Sequence, residues 1–528
     1  MKKLIYIILI GLLAVSCEKN DLKLVNPNEP GLDALATEEG CTRLAYSVWV
    51  PLRDNTFWWF VIADHNIMGD ALTISAGNFG WRWGNQTEQI TLPDGTVYYP
   101  PNGSTQPVEL RNRNDRSYGQ DNIFSHEWIP VYGVIQTANF VLENVENASF
   151  AGTDEAVAIK KNTLKCWAYW WKGWGYSRIA SVHAQGIIVD KYNATNPDYV
   201  SYSDLLIEAK NNFDAAKDIL ASIDEDNEPY FAILSKLVPS YLVAGRGGLF
   251  TPQMWIRNIN TYLARNILVN KYADDLTAQD ISDIETLCNN GIGDGDYIFT
   301  ARAQALDDLV YNTAWAPYRL LVGWENVSER WVQDFKPGDA RRTRNVMPLA
   351  TVNYNPRGRG IQYGTRWTLR PIENGGDYAS TVSNLAELAY CGTYEENQLM
   401  LAEAKIRTDQ IDEGLAHIDN VRNYQNASLA AVSGTGLTKA QALEELREER
   451  RIALFINGTA FYDARRWKLL GTNPGRAKAV VLTSPTAIDS CAIKYGYLER
   501  WDLPANETDF NPVVSATSRL INGTIVPE

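Results

Sequence analysis

Between Tyr202 and Leu220, the residues Leu205, Leu206, Ala209, Phe213, Ala216 and Leu220 recur at three- and four-residue intervals. That spacing puts apolar side chains on one face of an α-helix and fits no strand. Ser203 is placed to cap it. The same periodicity runs through Leu385 to Arg407, with Leu388, Met400, Leu401 and Ala404. A short turn, Thr408-Asp409-Gln410, leads to a second helix marked by Leu415, Ile418 and Val421. Two antiparallel helices around a short turn are the unit of tetratricopeptide-type repeats. Thr438-Lys439-Ala440-Gln441 reads as a capping box opening a helix from Ala440 to about Phe455, which Asn457-Gly458 stops. Further helices are predicted over Trp255 to Tyr272 and Trp128 to Leu142. No strict 34-residue period is readable. The fold class expected is therefore mostly α: an irregular tetratricopeptide-like helical repeat scaffold with long loop-rich excursions and a few short strands.

Two such excursions interrupt the helices, at about 72–122 and 292–384. Both are rich in turn-forming residues, such as Pro93-Asp94-Gly95, Pro101-Asn102-Gly103, Gly338, Gly358, Gly360, Gly375 and Gly376. Loops of this length inside a compact protein are usually functional or disordered, and their aromatic content argues against disorder.

Lys2 and Lys3 precede a twelve-residue apolar run, Leu4 to Val15, which suits a signal peptide and is too short to span a bilayer. Residues 1–16 are read as a lipoprotein signal peptide, with Cys17 in Leu13-Ala14-Val15-Ser16-Cys17 as the acylated anchor. Residues 17–30 form a polar, proline-bearing tether, and 31–528 the folded body. Formal net charge is −14. An acidic body opposes nucleic acid, whose phosphates demand a basic face. None of the six cysteines forms a C-x-x-C pair, and only four histidines occur, so neither a metal centre nor a cofactor is expected.

Three further passages combine into one pattern. Glu449-Arg450 through Phe455 and Gly458 to Asp463-Ala464-Arg465-Arg466-Trp467 resembles the C-terminal signature of the SusD/RagB family. Glu387 through Ala402-Glu403-Ala404 to Val421-Arg422 resembles that family's helix pair, and Leu503-Pro504 to Asn511-Pro512 its closing segment. Trp128 to Asn139, and Ser201-Tyr202 to Leu206, look like its N-terminal helices. Tyr462 departs from the arginine common there, as do the long glycine-rich insertions. The resemblance implies a non-catalytic lipoprotein on the outer membrane, facing the cell exterior. Its loops would bind a glycan, and the protein would pair with a SusC-like TonB-dependent transporter. A binder of peptide or another non-sugar nutrient is the alternative; a surface glycoside hydrolase is a more distant one.

The chain holds 17 tryptophans in 528 residues. Indole faces stack on the C–H faces of sugars, and arginine and amide side chains supply hydrogen bonds to hydroxyls. Trp81, Arg82, Trp83 and Asn85 give that composition in the first excursion, and Trp81 and Trp83 would share one side of an extended segment. Trp315, Tyr318 and Trp324 give it in the second. Trp58 and Trp59 adjoin an apolar run, and Trp167, Trp170, Trp171 and Trp174 fall at helical spacing; both sets read as core. Arg341, Arg342 and Arg344 read as a solvated face, with an acidic-sugar contact as the alternative, and Glu448 to Arg451 as an ion-pair network reaching Asp463, Arg465 or Arg466.

Overall fold

The computed structural model describes residues 32–53, 57–74, 77–302, 323–382, 384–390, 392–471, 475–512, 519–521 and 524–526. The protein is mostly helical, with short two-stranded ladders and one four-stranded sheet among the described residues. The helix Asp154–Val182 lies at the centre, packed between Phe124–Asn144 and Tyr202–Leu220. Further on, Pro252–Val269 packs on Ala278–Asn289, which packs on Tyr394–Arg407; the last pairs with Ile411–Tyr424 and with Lys439–Ala453. These three share their own core of Leu399, Ile406, Leu415, Ile418, Val421 and Leu446.

The predicted helices form, with shifted ends. Ser201, not Ser203, caps Tyr202–Leu220: its hydroxyl accepts from the Asp204 amide while Asp204 reaches back to the Ser201 amide. The capping box at Thr438 and Gln441 is present. The Trp255 helix starts earlier, at Pro252, where Thr251 caps it and proline lacks only an N–H that would be unpaired anyway. The largest correction concerns 385–407. Its helix begins only at Tyr394, capped by Thr393, and Glu387–Ala389 is instead a strand paired with Thr300–Arg302. Apolar residues on both sides of the break at 390–393 mimic one continuous helical period.

Indole rings fill the main core. Trp49 lies 5.2 Å from Trp171 edge-on, Trp58 4.7 Å from Tyr390, and Trp170 stacks on Phe299 at 3.7 Å. Such pairs contribute about 0.5–1.5 kcal/mol each beyond area burial. Among the described residues, twelve tryptophans are buried, including Trp58, Trp59, Trp167, Trp170, Trp171 and Trp174. The tryptophan excess is thus first a matter of core packing. Cys41, Cys166, Cys288 and Cys491 are buried free thiols.

Strand pairing stitches the two excursions together. Leu72–Ile74 pairs antiparallel with Glu325–Val327, Leu72 opposite Val327. Gln89–Thr91 joins the C-terminal hairpin Arg476–Leu482 and Ala487–Lys494 in the four-stranded sheet. Arg341, read as solvated, is 2% exposed: its guanidinium binds Asp339 and Glu449. Arg342 is exposed, and Arg344 pairs with Asp377. The network at 448–451 does reach Asp463, through Arg450 at 3.0 Å, while Arg465 donates instead to the Ser181, Val269 and Glu499 carbonyls. No helix among the described residues is long and apolar enough to cross a membrane.

Candidate functional site

The first excursion folds over a layer of buried polar groups on the helices Phe57–Met68 and Phe124–Asn144. His126 Nε2 donates to the Gln120 carbonyl at 2.8 Å, and Nδ1 is hydrogen-bonded with Asp64 Oδ2 at 2.7 Å. Burial pushes the Asp64 carboxyl up to about 6 against the pull of His126. Beside it His65 donates to Glu127, which also accepts from Arg178; burial holds His65 down at about 4.

Above this layer sits a single helical turn, Trp81–Gly84. Gly80 opens it with φ +67°, and its amide donates to Asp121 Oδ1 at 2.9 Å. A Cβ there would lie 2.4 Å from the Asp121 carbonyl oxygen, so the approach requires glycine. Helical geometry corrects the expectation that Trp81 and Trp83 share a side. Two residues apart in a helix are about 200° apart in direction, whereas in a strand they are parallel. Trp81 therefore turns inward: it is 1% exposed, with Phe60 at 5.1 Å and Phe79 at 5.2 Å. Asn85 is also buried, at 2%. Neither presents a face to a ligand.

Trp83 and Arg82 point the other way and remain partly exposed. The Arg82 and Arg113 guanidinium carbons each lie 4.3 Å from the Trp83 ring centroid. Arg113 is ion-paired to Glu109 and also lies 5.8 Å from the ring of Tyr118, which is exposed. Cation–π contacts of this kind contribute roughly 0.5–1 kcal/mol at exposed sites and hold an indole in one orientation.

The second excursion contributes a tight loop, Asn355-Pro356-Arg357-Gly358-Arg359-Gly360. Asn355, Arg357, Gly358 and Gly360 all have positive φ (38°, 57°, 66° and 146°). A left-handed arginine costs on the order of 1–2 kcal/mol, and such strain clusters at functional sites. Asn355 Oδ1 accepts from the Gly360 amide at 2.6 Å. Tyr363 locks this loop to the helical turn: its hydroxyl donates to the Arg82 carbonyl and lies 3.0 Å from Gln86 Oε1. Burial raises the Tyr363 phenol well above its usual range, which keeps the donor proton in place. Arg359 lies 4.8 Å from the Tyr363 ring, and its Nη2 donates to the Ile74 carbonyl at 3.1 Å.

Of the sequence-predicted residues, Arg82 and Trp83 thus belong to one loop face, and Trp81 and Asn85 lie beneath it. Trp324 is half-buried, 5.9 Å from Phe79. Trp315, Tyr318 and Cys17 lie outside the described residues. Sequence reasoning missed Arg113, Arg357, Arg359 and Tyr363. The alternation Arg-Gly-Arg-Gly over 357–360 is the available signal, and by itself it indicates only a turn.

Chemically, this face offers a partly exposed indole and several guanidinium donors. Among the described residues no group of three or more His, Cys, Asp or Glu side chains could hold a metal ion. Two clefts lie elsewhere. One of about 640 Å³ runs between the helices Tyr202–Leu220, Pro252–Val269 and Ala278–Asn289, lined by Leu206, Ile207 and Ile267; another of about 650 Å³ adjoins Lys336 and Arg447. The first is a groove in the helical frame, with Tyr202 as its one aromatic lining residue and no arginine.

The sequence profile of the SusD family matches residues 394–513. No curated protein matches the chain by sequence. Solved structures do match its fold. A SusD homologue from Bacteroides thetaiotaomicron superposes with TM-score 0.58 at 14% identity, covering 93% of this chain and 99% of its own. A SusD-like carbohydrate-binding protein from Bacteroides vulgatus gives 0.52 at 15% identity, covering 88% and 90%. Another SusD-like carbohydrate-binding protein, from Bacteroides fragilis, gives 0.52 at 15%, covering 89% and 100%.

Proposed function

The chain has a SusD-like fold with a SusD-family match in residues 394–513, and from that premise we propose that it is a cell-surface glycan-binding lipoprotein. It captures oligosaccharide or polysaccharide and passes it to a partner TonB-dependent outer-membrane transporter, without chemical turnover. The helical repeats serve as frame, and the stitched excursions carry the ligand. The observation that supports this most directly is Trp83, a partly exposed indole held by two arginines on a loop face pinned by Tyr363. An indole fixed before the ligand arrives loses little conformational entropy on binding, and rigid aromatic platforms suit stacked sugar rings. Arg82, Trp83 and Trp324, with Trp315 and Tyr318 of the neighbouring 303–322 segment, are the ligand-binding residues in this reading. Cys17 carries the acyl chains that keep the protein at the membrane.

Calorimetric titration of the mature protein with a panel of neutral and acidic glycans tests the capture step. Binding that Trp83→Ala weakens at least tenfold supports it. Absence of binding to every glycan sinks it. For delivery, mild detergent extraction of the tagged lipoprotein should co-purify a TonB-dependent transporter, and Cys17→Ala should release the protein from the membrane fraction.

A further inference from the structure

We propose that Arg82, Arg357 and Arg359 form an anion-recognising subsite, so that the glycan captured carries carboxylate or sulfate groups. This deepens the glycan-binding reading above and rests on it. The three side chains come from two excursions but converge. A Cβ built on Gly77 would lie 3.0 Å from Arg357 Nη1 and 4.0 Å from Arg82 Nη1, so both guanidinium groups overhang the same glycine. Arg359 is close enough to feel both: burial lowers its proton affinity, and the charges of Arg357 and Arg82 lower it further. Like charges gathered this way repel one another, and a bound oxyanion relieves that repulsion.

No carboxylate among the described residues forms an ion pair with Arg82 or Arg357. Glu109 is ion-paired to Arg113, and Asp121 Oδ1 accepts from the Gly80 amide. In a chain of net charge −14, a positive cluster of this kind stands against the overall field. The loop geometry is also specific to display. The left-handed backbone at Arg357 and Gly358 sends Arg357 out to solvent, while Tyr363 and Gln86 hold the base of the loop against the Trp83 turn. Guanidinium groups pair with carboxylate and sulfate oxygens through parallel N–H donors, and an adjacent indole can stack on the ring that bears them.

The test compares wild-type mature protein with an Arg82→Gln/Arg357→Asn double variant by calorimetry at two salt concentrations. Asparagine is chosen because it tolerates left-handed backbone. The probes are polygalacturonate and alginate oligosaccharides (carboxylate), chondroitin sulfate oligosaccharides (carboxylate and sulfate), neutral xylo-oligosaccharides, and poly-glutamate. The expected result is preferential binding of at least one acidic glycan, weakened by salt. That binding should fall at least tenfold in the double variant at unchanged melting temperature, and comparison of the acidic arms tells carboxylate from sulfate. Preference for the neutral probe, equal affinity of wild type and variant for the acidic ones, or equally tight binding of poly-glutamate overturns the subsite. Neutral-glycan binding alone leaves the capture reading standing; no glycan binding at all removes both.

Discussion

Asp70 and Arg330 stand 260 positions apart and form a buried, two-pronged ion pair, with Nη2 to Oδ1 at 2.7 Å and Nε to Oδ2 at 2.9 Å. Ser328 and Tyr495 hydroxyls donate to the same carboxylate at 2.8 and 2.6 Å. The pair fastens the start of the first excursion to the middle of the second, just beyond the Leu72–Val327 ladder. Burial alone would raise the Asp70 carboxyl, yet the Arg330 guanidinium holds it far below the usual range.

Removing one partner of such a pair strands a buried charge. Arg330→Met is expected to lower unfolding free energy by about 3–5 kcal/mol. Arg43→Met, whose ion pair with Glu39 is open to solvent, should leave stability nearly unchanged. Chemical unfolding of both variants checks the contrast. Because the folded carboxyl is depressed, its stabilisation is full above the unfolded value near 4 and is lost as pH falls below it.

Trp81 and Trp83, two positions apart, should respond in opposite ways. Trp81→Ala empties a buried site against Phe60 and Phe79 and is expected to cost about 3–5 kcal/mol. Trp83→Ala should shift the melting temperature little and weaken glycan binding at least tenfold. Thermal unfolding and titration on the same samples separate the two roles; a Trp81→Ala protein of wild-type stability would refute the packing account.

Tyr363→Phe removes the hydroxyl that holds the Arg82 carbonyl and adjoins Gln86. Losing the donor to this part-buried carbonyl should cost about 1 kcal/mol. The freed Trp83 turn should also exchange its amide protons faster, which hydrogen exchange at 80–86 would register.

His183 makes the protein sensitive to mild acid. It is fully buried between Trp128 and Trp501; Nδ1 donates to the Asp502 carbonyl at 3.1 Å, and Nε2 meets no partner among the described residues. Burial therefore lowers it to about 4. The folded value lies below the unfolded one near 6.5, so stability is full above pH 6.5 and is lost as pH falls toward 4, by at most about 3 kcal/mol. The loss of melting temperature between pH 7 and pH 4.5 should be smaller in His183→Gln than in wild type.

Local signals in the sequence determined the helices. The 3.6-residue period at 202–220 and the caps at Thr438 and Gln441 act within a turn or two of chain, and the spacing of Trp167, Trp170, Trp171 and Trp174 marked a buried stripe. The motifs between 394 and 467, inside the segment that matches the SusD family profile, likewise point to the SusD-like frame. The loop face was another matter. Whether Trp81 or Trp83 met solvent depended on one helical turn opened by Gly80, and that turn exists because Asp121, 41 positions on, takes the Gly80 amide. The meeting of Arg82 with Arg357 and Arg359 depended on Tyr363 reaching across some 280 residues of chain. Short-range periodicity carries no information about such pairings: they are decided when strands and buried polar groups from distant segments find their partners, which only the folded whole can do.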